Sequence, residues 1–352
     1  MTSVDAGRQS MAGPIPARPA PNSSSSTAAP ADSCTANAFA AGDGGWNTSR
    51  VISDPHLDGR AGIDADLVKR LLAAQFPQWS DLPVTPVEVD GWDNRTYRLG
   101  EELTVRLPTA PGYVPAVEKE HRWLSVLAPH LPVPIPVSVA LGEPGEGYPH
   151  PWSVRRWLDG DTARPDRIAD LPAFAESLAE FLLALQRVDA TDGPAAGAHS
   201  FHRGAPPAYY DDETRNCLRT LAGHLDTDRA AAVWDAALAA EWRGEPVWFH
   251  GDVAHGNLLV RDGKLAAVLD FGTCGVGDPS CDLVIAWTMF AGPSREAFRR
   301  TVGQDAGTWA RARGWALWKA LLGLADDVRQ DRPLAAGNLR VVEEVLTDHD
   351  LA

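Results

Sequence analysis

The stretch FHGDVAHGNLLV, residues 249–260, places a carboxylate and an amide side chain just before an apolar segment. Asp252 and Asn257 are five residues apart, and a second carboxylate follows at Asp270 in the short sequence LDFG. Oxygen atoms of these two kinds are the ligands that Mg²⁺ prefers, and a carboxylate can also orient or deprotonate a hydroxyl group. Each residue alone is most often a turn or capping residue. The prediction of a reaction site therefore depends on all three at these intervals.

The bulk composition is that of a globular protein with an ample core. The chain has 352 residues, of which 44% are apolar and 22% charged, and its formal net charge is −15. Nucleic acids are bound by clustered Lys and Arg, so this charge disfavours a nucleic-acid partner. It is compatible with a cationic small substrate, although an acidic surface that serves solubility alone is the more common explanation.

Cysteine usage and hydropathy favour a cytoplasmic protein without a membrane partner. The four cysteines, at positions 34, 217, 274 and 281, form no CxxC pair, which disfavours a zinc or redox motif and fits a reducing compartment. No apolar run reaches the ~20 residues of a membrane span, and the N-terminus lacks the apolar core of a secretory signal. For the assembly we expect a monomer or a homodimer.

The chain divides into a tail and two parts that differ in periodicity. Residues 1–58 are rich in Ala, Pro, Ser and Gly and cannot bury enough apolar surface to offset backbone ordering, so we predict a disordered tail. We expect an N-terminal lobe at residues 59–157 and a C-terminal helical lobe at residues 158–352. The first ordered element is a predicted helix at residues 63–76, with Asp64 as its N-cap.

The N-terminal lobe has mainly strand signals. Strands are predicted at residues 84–90, 96–100, 102–108, 132–142 and 151–160. Between the third and fourth strands, residues 114–131 form an amphipathic pattern with Val117, Trp123, Leu124 and Leu127 on one face and Glu118, Lys119 and Arg122 on the other. From residue 171 onward the pattern is helical, except for a loop and hairpin at residues 247–272. This order indicates an α+β protein.

The motifs and the order of elements together resemble the aminoglycoside phosphotransferase family, the antibiotic-kinase branch of the protein-kinase-like fold. The resemblance runs from about residue 63 to the C-terminus and is carried by HGDVAHGN, LDFG and GVGDPSCDLVIAW. It implies a two-lobed fold, with a small antiparallel sheet and one main helix in the N-terminal lobe and a larger, mainly helical C-terminal lobe. The family usually reads HGDLHPGN, so Ala254 and His255 replace its His and Pro while the Asp-to-Asn interval is kept.

The resemblance implies phosphoryl transfer from ATP, with GTP as the alternative nucleotide. Asp252 is expected to be catalytic, orienting the acceptor hydroxyl or taking its proton, while Asn257 and Asp270 hold Mg²⁺. His250 is expected to pack and form hydrogen bonds beneath the loop. The acidic residues of GDPSCDL are expected to brace that loop or cap the next helix.

The resemblance also implies a set of nucleotide-binding residues in the N-terminal lobe. Arg106 occupies the position of the basic residue that contacts the α- and β-phosphates, with Glu120 as its expected partner and Glu118 as the alternative. Gly91 belongs to DGWDNRT, the loop expected to cover the phosphates. The remaining candidates lie in the linker RRWLDG and are expected to line the purine pocket: Trp157 and Leu158.

The acceptor is left open by the sequence. The run YYDDET offers three carboxylates that would attract the ammonium groups of an aminoglycoside, those of Asp211, Asp212 and Glu213. An aromatic wall would instead suit a macrolide or a nucleoside antibiotic, and its candidates are Trp287, Trp315 and Trp318. A solvated acidic turn and core tryptophans are the ordinary alternatives.

The expected function is ATP-dependent O-phosphorylation of an antibiotic hydroxyl, which confers resistance. An aminoglycoside is the first expectation, and a macrolide, tuberactinomycin or nucleoside antibiotic are alternatives. Two other functions compete: a metabolic kinase of the same fold acting on choline, a ketosamine or a homoserine-like alcohol, and a catalytically silent nucleotide-binding module. The silent module is disfavoured because Asp252, Asn257 and Asp270 are all present.

Overall fold

The computed structural model describes residues 60, 62–88, 90–91 and 93–352, and the structural statements below concern these residues. The tail predicted at residues 1–58 lies outside them. The helices are α1 (Ala65–Gln75), α2 (Val114–Leu127), α3 (Leu171–Gln186), α4 (Asp211–Thr220), α5 (Thr227–Ala239), α6 (Ile285–Thr288), α7 (Gly292–Val302), α8 (Ala306–Arg329) and α9 (Ala336–Asp350). The strands are β1 (Val84–Pro86), β2 (Asn94–Leu99), β3 (Leu103–Pro108), β4 (Ser138–Gly142), β5 (Trp152–Arg156), β6 (Asp161–Thr162), β7 (Val247–Phe249), β8 (Leu258–Arg261), β9 (Lys264–Val268) and β10 (Gly275–Gly277).

A five-stranded antiparallel sheet in the order β1-β2-β3-β5-β4 forms the smaller lobe. Helix α1 packs on its apolar face, where Leu71, Leu99 and Val105 are fully buried. The predicted N-cap of α1 is confirmed, because Asp64 Oδ1 accepts the Leu67 N–H at 2.8 Å. The sheet and helix together match the α+β arrangement that the sequence indicated.

Three predicted strands are markedly shorter in the structure than in the sequence pattern. The strand predicted at residues 151–160 is β5, which covers only Trp152–Arg156. Strand β1 ends at Pro86 because the Asp90 carboxylate takes the Thr96 N–H, at 3.0 Å, that a longer strand would bond. Strand β4 begins only at Ser138, because the prolines that precede it have no N–H to give to a ladder.

The larger lobe is mainly helical and holds two small sheets, β7 with β10 and β6-β8-β9. The predicted hairpin is confirmed as β8 and β9, which pair antiparallel. Its turn is Asp262–Gly263, and both residues have positive φ, as this turn sequence favours. Helix α8 has 24 residues and is buried along most of its length. None of the helices in the described part of the chain combines the length and the hydropathy that a membrane-spanning helix needs.

Helix α2 differs from the amphipathic pattern at one position. Val117, Leu124 and Leu127 are buried as predicted, and Glu118 is exposed, but the prediction that Lys119 lies on the solvent face is wrong. Lys119 is only 9% exposed, and burial lowers the pKa of its ammonium group. Apolar periodicity does not identify a buried cation whose partners come from another part of the chain.

The Lys119 ammonium is surrounded by oxygen acceptors from the larger lobe. Its Nζ donates to the carbonyls of Gly272 at 2.6 Å, Cys274 at 3.0 Å and His199 at 3.1 Å. It also lies 3.1 Å from His199 Nδ1. Buried polar groups are stable only when they are bonded in this way. These bonds attach α2 to the last residue of LDFG and to the segment that follows it.

Replacement of Lys119 by Met should destabilise the protein and loosen that segment. Two buried carbonyls lose their donor, so we expect the free energy of unfolding to fall by about 1–3 kcal/mol. Hydrogen exchange should become faster at residues 271–275. Urea unfolding and peptide-resolved hydrogen exchange measure the two effects.

Lys69→Met is the matched control, since the Lys69 side chain is 53% exposed and its ion pair within the described part of the chain is with Asp66, on the surface of α1. We expect this change to lower the free energy of unfolding by less than about 0.5 kcal/mol. Equal effects of the two substitutions on stability and exchange would contradict the assigned role of Lys119.

Candidate active site

The loop between β7 and β8 is fixed from below by a buried carboxylate. Asp282 Oδ2 accepts the His250 N–H at 2.8 Å and Oδ1 accepts the Gly251 N–H at 2.6 Å. Gly251 has φ +88°, and a Cβ there would lie 2.9 Å from the Thr273 carbonyl oxygen, so only glycine fits. These are the bracing contacts expected of the acidic residues that follow the LDFG motif.

His250 is buried and links the loop to the strand that precedes Asp270. Its Nδ1 accepts the Asp252 N–H at 3.2 Å, while its Nε2 lies 2.8 Å from the Leu269 carbonyl. The tautomer that satisfies both contacts carries its proton on Nε2. His250 therefore packs beneath the loop, in the supporting position that the sequence predicted.

Asn257 connects the two halves of the candidate site. Its side-chain Nδ2 donates to Asp252 Oδ2 at 3.2 Å and to the Asp252 carbonyl at 2.9 Å. Its backbone carbonyl accepts the Leu269 N–H at 2.7 Å, directly beside Asp270. The two stretches that the sequence analysis linked by their spacing are thus in direct contact through one residue.

The Asp270 carboxylate has few contacts with the described protein groups. Its side chain is 36% exposed, and its one hydrogen bond to a described residue, from the Gly272 N–H, is long at 3.4 Å. Arg106 Nη2 lies 3.9 Å away. The backbone has φ +61°, a left-handed conformation that Asp tolerates better than most residues. The carboxylate is accessible to a ligand that approaches between the lobes.

Glu120 is the anionic centre of the smaller lobe, and its nearest partner was not predicted. Arg155 donates to it from Nη1 at 3.3 Å and from Nη2 at 2.7 Å, whereas Arg106 Nη1 is 3.8 Å away. Burial would raise the pKa of Glu120, but the two guanidinium groups lower it to about 2. The alternative partner, Glu118, is exposed.

Arg155 was placed by the sequence both at the start of the linker and in the strand predicted at residues 151–160, and it lies within β5. A signal for its position exists in the strand alternation, because Trp152 and Val154 face the core on α1 while Ser153 and Arg155 point to the opposite face. That face carries α2 and Glu120.

The loop predicted to cover the phosphates brings a carboxylate, Asp93, to the same region. Burial and the nearby Asp270 carboxylate raise the pKa of Asp93 to about 7. Gly91 is exposed, and its carbonyl accepts from Arg60 Nη1 at 2.9 Å. Trp92, between them, lies outside the described residues. Gly91 was predicted in this loop from the sequence, and Asp93 was not.

The two linker candidates are only partly enclosed. Trp157 donates from Nε1 to Asp159 at 2.8 Å, and the Arg98 guanidinium lies 3.9 Å from the centre of one of its rings. Leu158 is half-buried. Arg98 thus covers part of the indole of Trp157.

Lys319, on α8, is the contact at Asp252 that the sequence analysis missed. Its Nζ lies 2.7 Å from Asp252 Oδ1. Burial would raise the pKa of Asp252, but Lys319 holds it below its usual value, with smaller contributions from Arg203 and His250. The available signal was a lone Lys inside the apolar run GWALWKALLGLA.

Asp252 and Lys319 line a small cleft that opens to solvent and has a free volume of about 20 Å³. The other residues that line it are Arg203, Gly251, Val253, Cys281, Val284, Trp315 and Trp318. Among the described residues, no group of three or more His, Cys, Asp or Glu is arranged to hold a metal ion.

The predicted acidic contacts are not among the described residues that line this cleft. Asp211 accepts from Trp234 Nε1 at 2.7 Å and from Arg215 at 3.0 Å. Glu213 accepts from Trp318 Nε1 at 2.8 Å, so it lies against a lining residue. Asp212 is exposed. Of the predicted aromatic candidates, Trp315 and Trp318 line the cleft, while Trp287 packs against Trp309 in the core.

The fold is that of solved antibiotic phosphotransferases. The GDP complex of aminoglycoside 2'-phosphotransferase-IIIa aligns with a TM-score of 0.61 at 17% identity, covering 82% of this chain and 100% of that one. The gentamicin complex of APH(2″)-IIa aligns with a TM-score of 0.53 at 17% identity, covering 81% of this chain and 96% of that one. A macrolide 2'-phosphotransferase from Brachybacterium faecium aligns with a TM-score of 0.53 at 23% identity, covering 80% of this chain and 97% of that one. At these identities the likeness shows the two-lobed protein-kinase-like fold.

The family follows from a separate comparison. No curated protein sequence matches the chain. The family model described as "Phosphotransferase enzyme family" matches residues 84–315, from β1 into α8. The matched region is well over half of the 352-residue chain and includes Asp252, Asn257 and Asp270. The chain belongs to the phosphotransferase enzyme family.

Proposed function

We propose that this protein is an ATP-dependent O-phosphotransferase that phosphorylates a hydroxyl group of a small-molecule antibiotic. The observation that carries the proposal is the Asn257 contact, which joins Asp252 by its side chain and the residue before Asp270 by its backbone. ATP is the proposed nucleotide and GTP the alternative. A cytoplasmic location belongs to the same proposal, because ATP is available there.

Asn257 and Asp270 are the residues proposed to hold Mg²⁺. The amide nitrogen of Asn257 is used by Asp252, which leaves its side-chain oxygen for a cation. Asp270 has an accessible carboxylate with one long hydrogen bond. Two protein oxygens suit Mg²⁺, which keeps waters and phosphate oxygens as its other ligands. When bound, Mg²⁺ supplies neutralisation of charge on the β- and γ-phosphates.

Arg106 is proposed to contact the nucleotide phosphates. Its two nitrogen atoms lie 3.8 Å from Glu120 and 3.9 Å from Asp270, distances longer than those of a close ion pair. The guanidinium is therefore oriented by Glu120 without being saturated by it. Gly91 in the covering loop, and Trp157 and Leu158 in the linker, remain predicted contacts of the nucleotide.

Asp252 is proposed to orient the acceptor hydroxyl. In transfer, the hydroxyl oxygen bonds to the γ-phosphorus as the bond to ADP breaks, and the hydroxyl proton leaves through Asp252. A loose transition state needs correct orientation more than a strong base. Lys319 keeps Asp252 ionised, which makes it a good hydrogen-bond acceptor and a weak base.

Replacement of Asp252 by Ala or Asn should lower kcat by about 10²–10⁴-fold, because the group that orients the hydroxyl is lost. Mg·ATP binding should be retained, since the proposed nucleotide contacts are untouched. Coupled ATP-consumption assays over aminoglycosides, macrolides, tuberactinomycins, nucleoside antibiotics and small metabolic alcohols measure kcat, and calorimetry measures ATP binding.

Asp228→Ala, at an exposed position in the first turn of α5, is the control and should leave kcat unchanged. Appreciable turnover in both Asp252 variants would contradict its role. ATP consumption only with metabolic alcohols would instead favour the metabolic kinase, and tight nucleotide binding without any turnover would favour the silent module.

Asp270→Asn should raise the Mg²⁺ concentration needed for half-maximal activity by at least about tenfold, because the charged ligand becomes neutral. Asp262→Asn is a closely matched control. Both residues have left-handed backbones, with φ +61° and +54°, but Asp262 lies in the exposed β8–β9 turn. An unchanged Mg²⁺ requirement in the Asp270 variant would argue against the proposed ligand.

A further inference from the structure

A chain of aromatic rings runs from the surface of the larger lobe to the cleft that holds Asp252. Tyr209 is 58% exposed and meets Tyr210 edge to face at 5.0 Å. Tyr210 stacks on Trp318 at 4.3 Å, and Trp318 meets Trp315 at 5.6 Å. Burial raises the pKa of Tyr210 to about 12, so the phenol stays neutral. Large rings of this kind bind ring-bearing ligands by stacking.

The same cleft is rich in hydrogen-bond donors. The Arg203 guanidinium lies 4.6 Å from the centre of the Trp318 ring, and Lys319 reaches Asp252 from α8. Trp315 is 2% exposed, and its buried indole N–H has no partner among the described residues. Buried hydrogen-bond donors normally have a partner, so an acceptor atom of a ligand at this position would satisfy the Trp315 N–H.

The loop that presents Arg203 is held in an unusual backbone conformation. Phe201 and His202 have φ +47° and +54°, which non-glycine residues rarely adopt. Gly204 has φ +77°, and a Cβ there would lie 2.0 Å from the Phe249 ring. The Phe201 carbonyl accepts from Arg203 Nη1 at 3.1 Å and from the Tyr210 hydroxyl at 2.7 Å. The loop thus sets a cation and an aromatic ring in fixed positions.

The charge balance of the cleft does not suit a polycation. Two cations and one carboxylate line it. The nearby carboxylates of Asp211 and Glu213 already accept from Trp234 and Trp318. Each ammonium group of an aminoglycoside would need a carboxylate or carbonyl partner on leaving water.

We propose that the acceptor is an alcohol that carries a planar ring and hydrogen-bond acceptor groups and has no net positive charge. Its ring would stack beside Tyr209 and Tyr210, and its acceptor atoms would bond Arg203 and the Trp315 N–H. This inference rests on the proposed function, because it names the substrate class of the same site.

The test compares binding and turnover for two panels of probes on the full chain with Mg·ATP or a non-hydrolysable analogue. The first panel is chloramphenicol, rifampicin and novobiocin, which are ring-bearing alcohols without net positive charge, and the second is kanamycin and gentamicin. Quenching of tryptophan fluorescence, checked by calorimetry, gives affinities. We expect members of the first panel to bind at least about tenfold tighter than the second.

Substitutions of the proposed contacts identify the site. Arg203→Met and Tyr209→Ala should each weaken binding of the first panel by about tenfold, with Mg·ATP affinity unchanged. Arg219→Met is the control, because Arg219 is exposed in the last turn of α4 and is not one of the residues that line the cleft.

The outcomes separate this inference from the proposed function. Preferential binding of kanamycin or gentamicin overturns the acceptor class, and phosphorylation of either one overturns it while supporting the phosphotransferase. Equal binding of the two panels, or equal effects of the Arg203 and Arg219 substitutions, also overturns it. Tight binding of the first panel, lost in the Arg203 variant but without phosphoryl transfer to any probe, supports the acceptor class and counts against the proposed function.

Discussion

Two neighbouring charges on one helix, Lys119 and Glu120, hold the segment around Asp270 from two directions. Lys119 donates to the backbone carbonyls of Gly272 and Cys274, which follow Asp270 in the chain. Glu120 lies 3.8 Å from Arg106, whose other nitrogen is 3.9 Å from the Asp270 carboxylate. The orientation of α2 is therefore linked both to the backbone of the segment proposed to bind Mg²⁺ and to the cation proposed to bind phosphate.

The energetic cost of burying these charges indicates that they fix the position of α2 and are not there to add stability. Taking an ammonium and a carboxylate out of water costs several kcal/mol each, and apolar packing would often give equal or greater stability. Buried charges instead provide specific geometry, because each of them can form its hydrogen bonds in only a few orientations. A rotation of α2 would separate Lys119 from its carbonyls and Glu120 from Arg155 together. That constraint would favour the proposed binding of one nucleotide by both Asp270 and Arg106.

Local patterns in the sequence predicted much of the fold, but they did not predict contacts between residues that are far apart in the chain. Periodicity located α1, the sheet strands and the β8–β9 hairpin, and the spacing of Asp252, Asn257 and Asp270 located the candidate site. The contact from Lys319 to Asp252 spans 67 residues, and that from Lys119 to Gly272 spans 153. A side chain whose partners are that far along the chain, or are backbone carbonyls, has no local signature. The burial of Lys119 was missed for this reason.

Helix α8 couples Asp252, the carboxylate proposed to be catalytic, to the cleft proposed to hold the acceptor. Trp315, Trp318 and Lys319 have helical spacings of three and four residues, so they share one face. Lys319 reaches Asp252 Oδ1 from this face while Asn257 holds Oδ2. A shift of α8 that reshapes the aromatic wall must also move the cation that keeps Asp252 ionised. Changes in this wall should therefore alter kcat as well as KM, and a new acceptor can be accommodated only when its ring and its hydroxyl suit the same position of the helix.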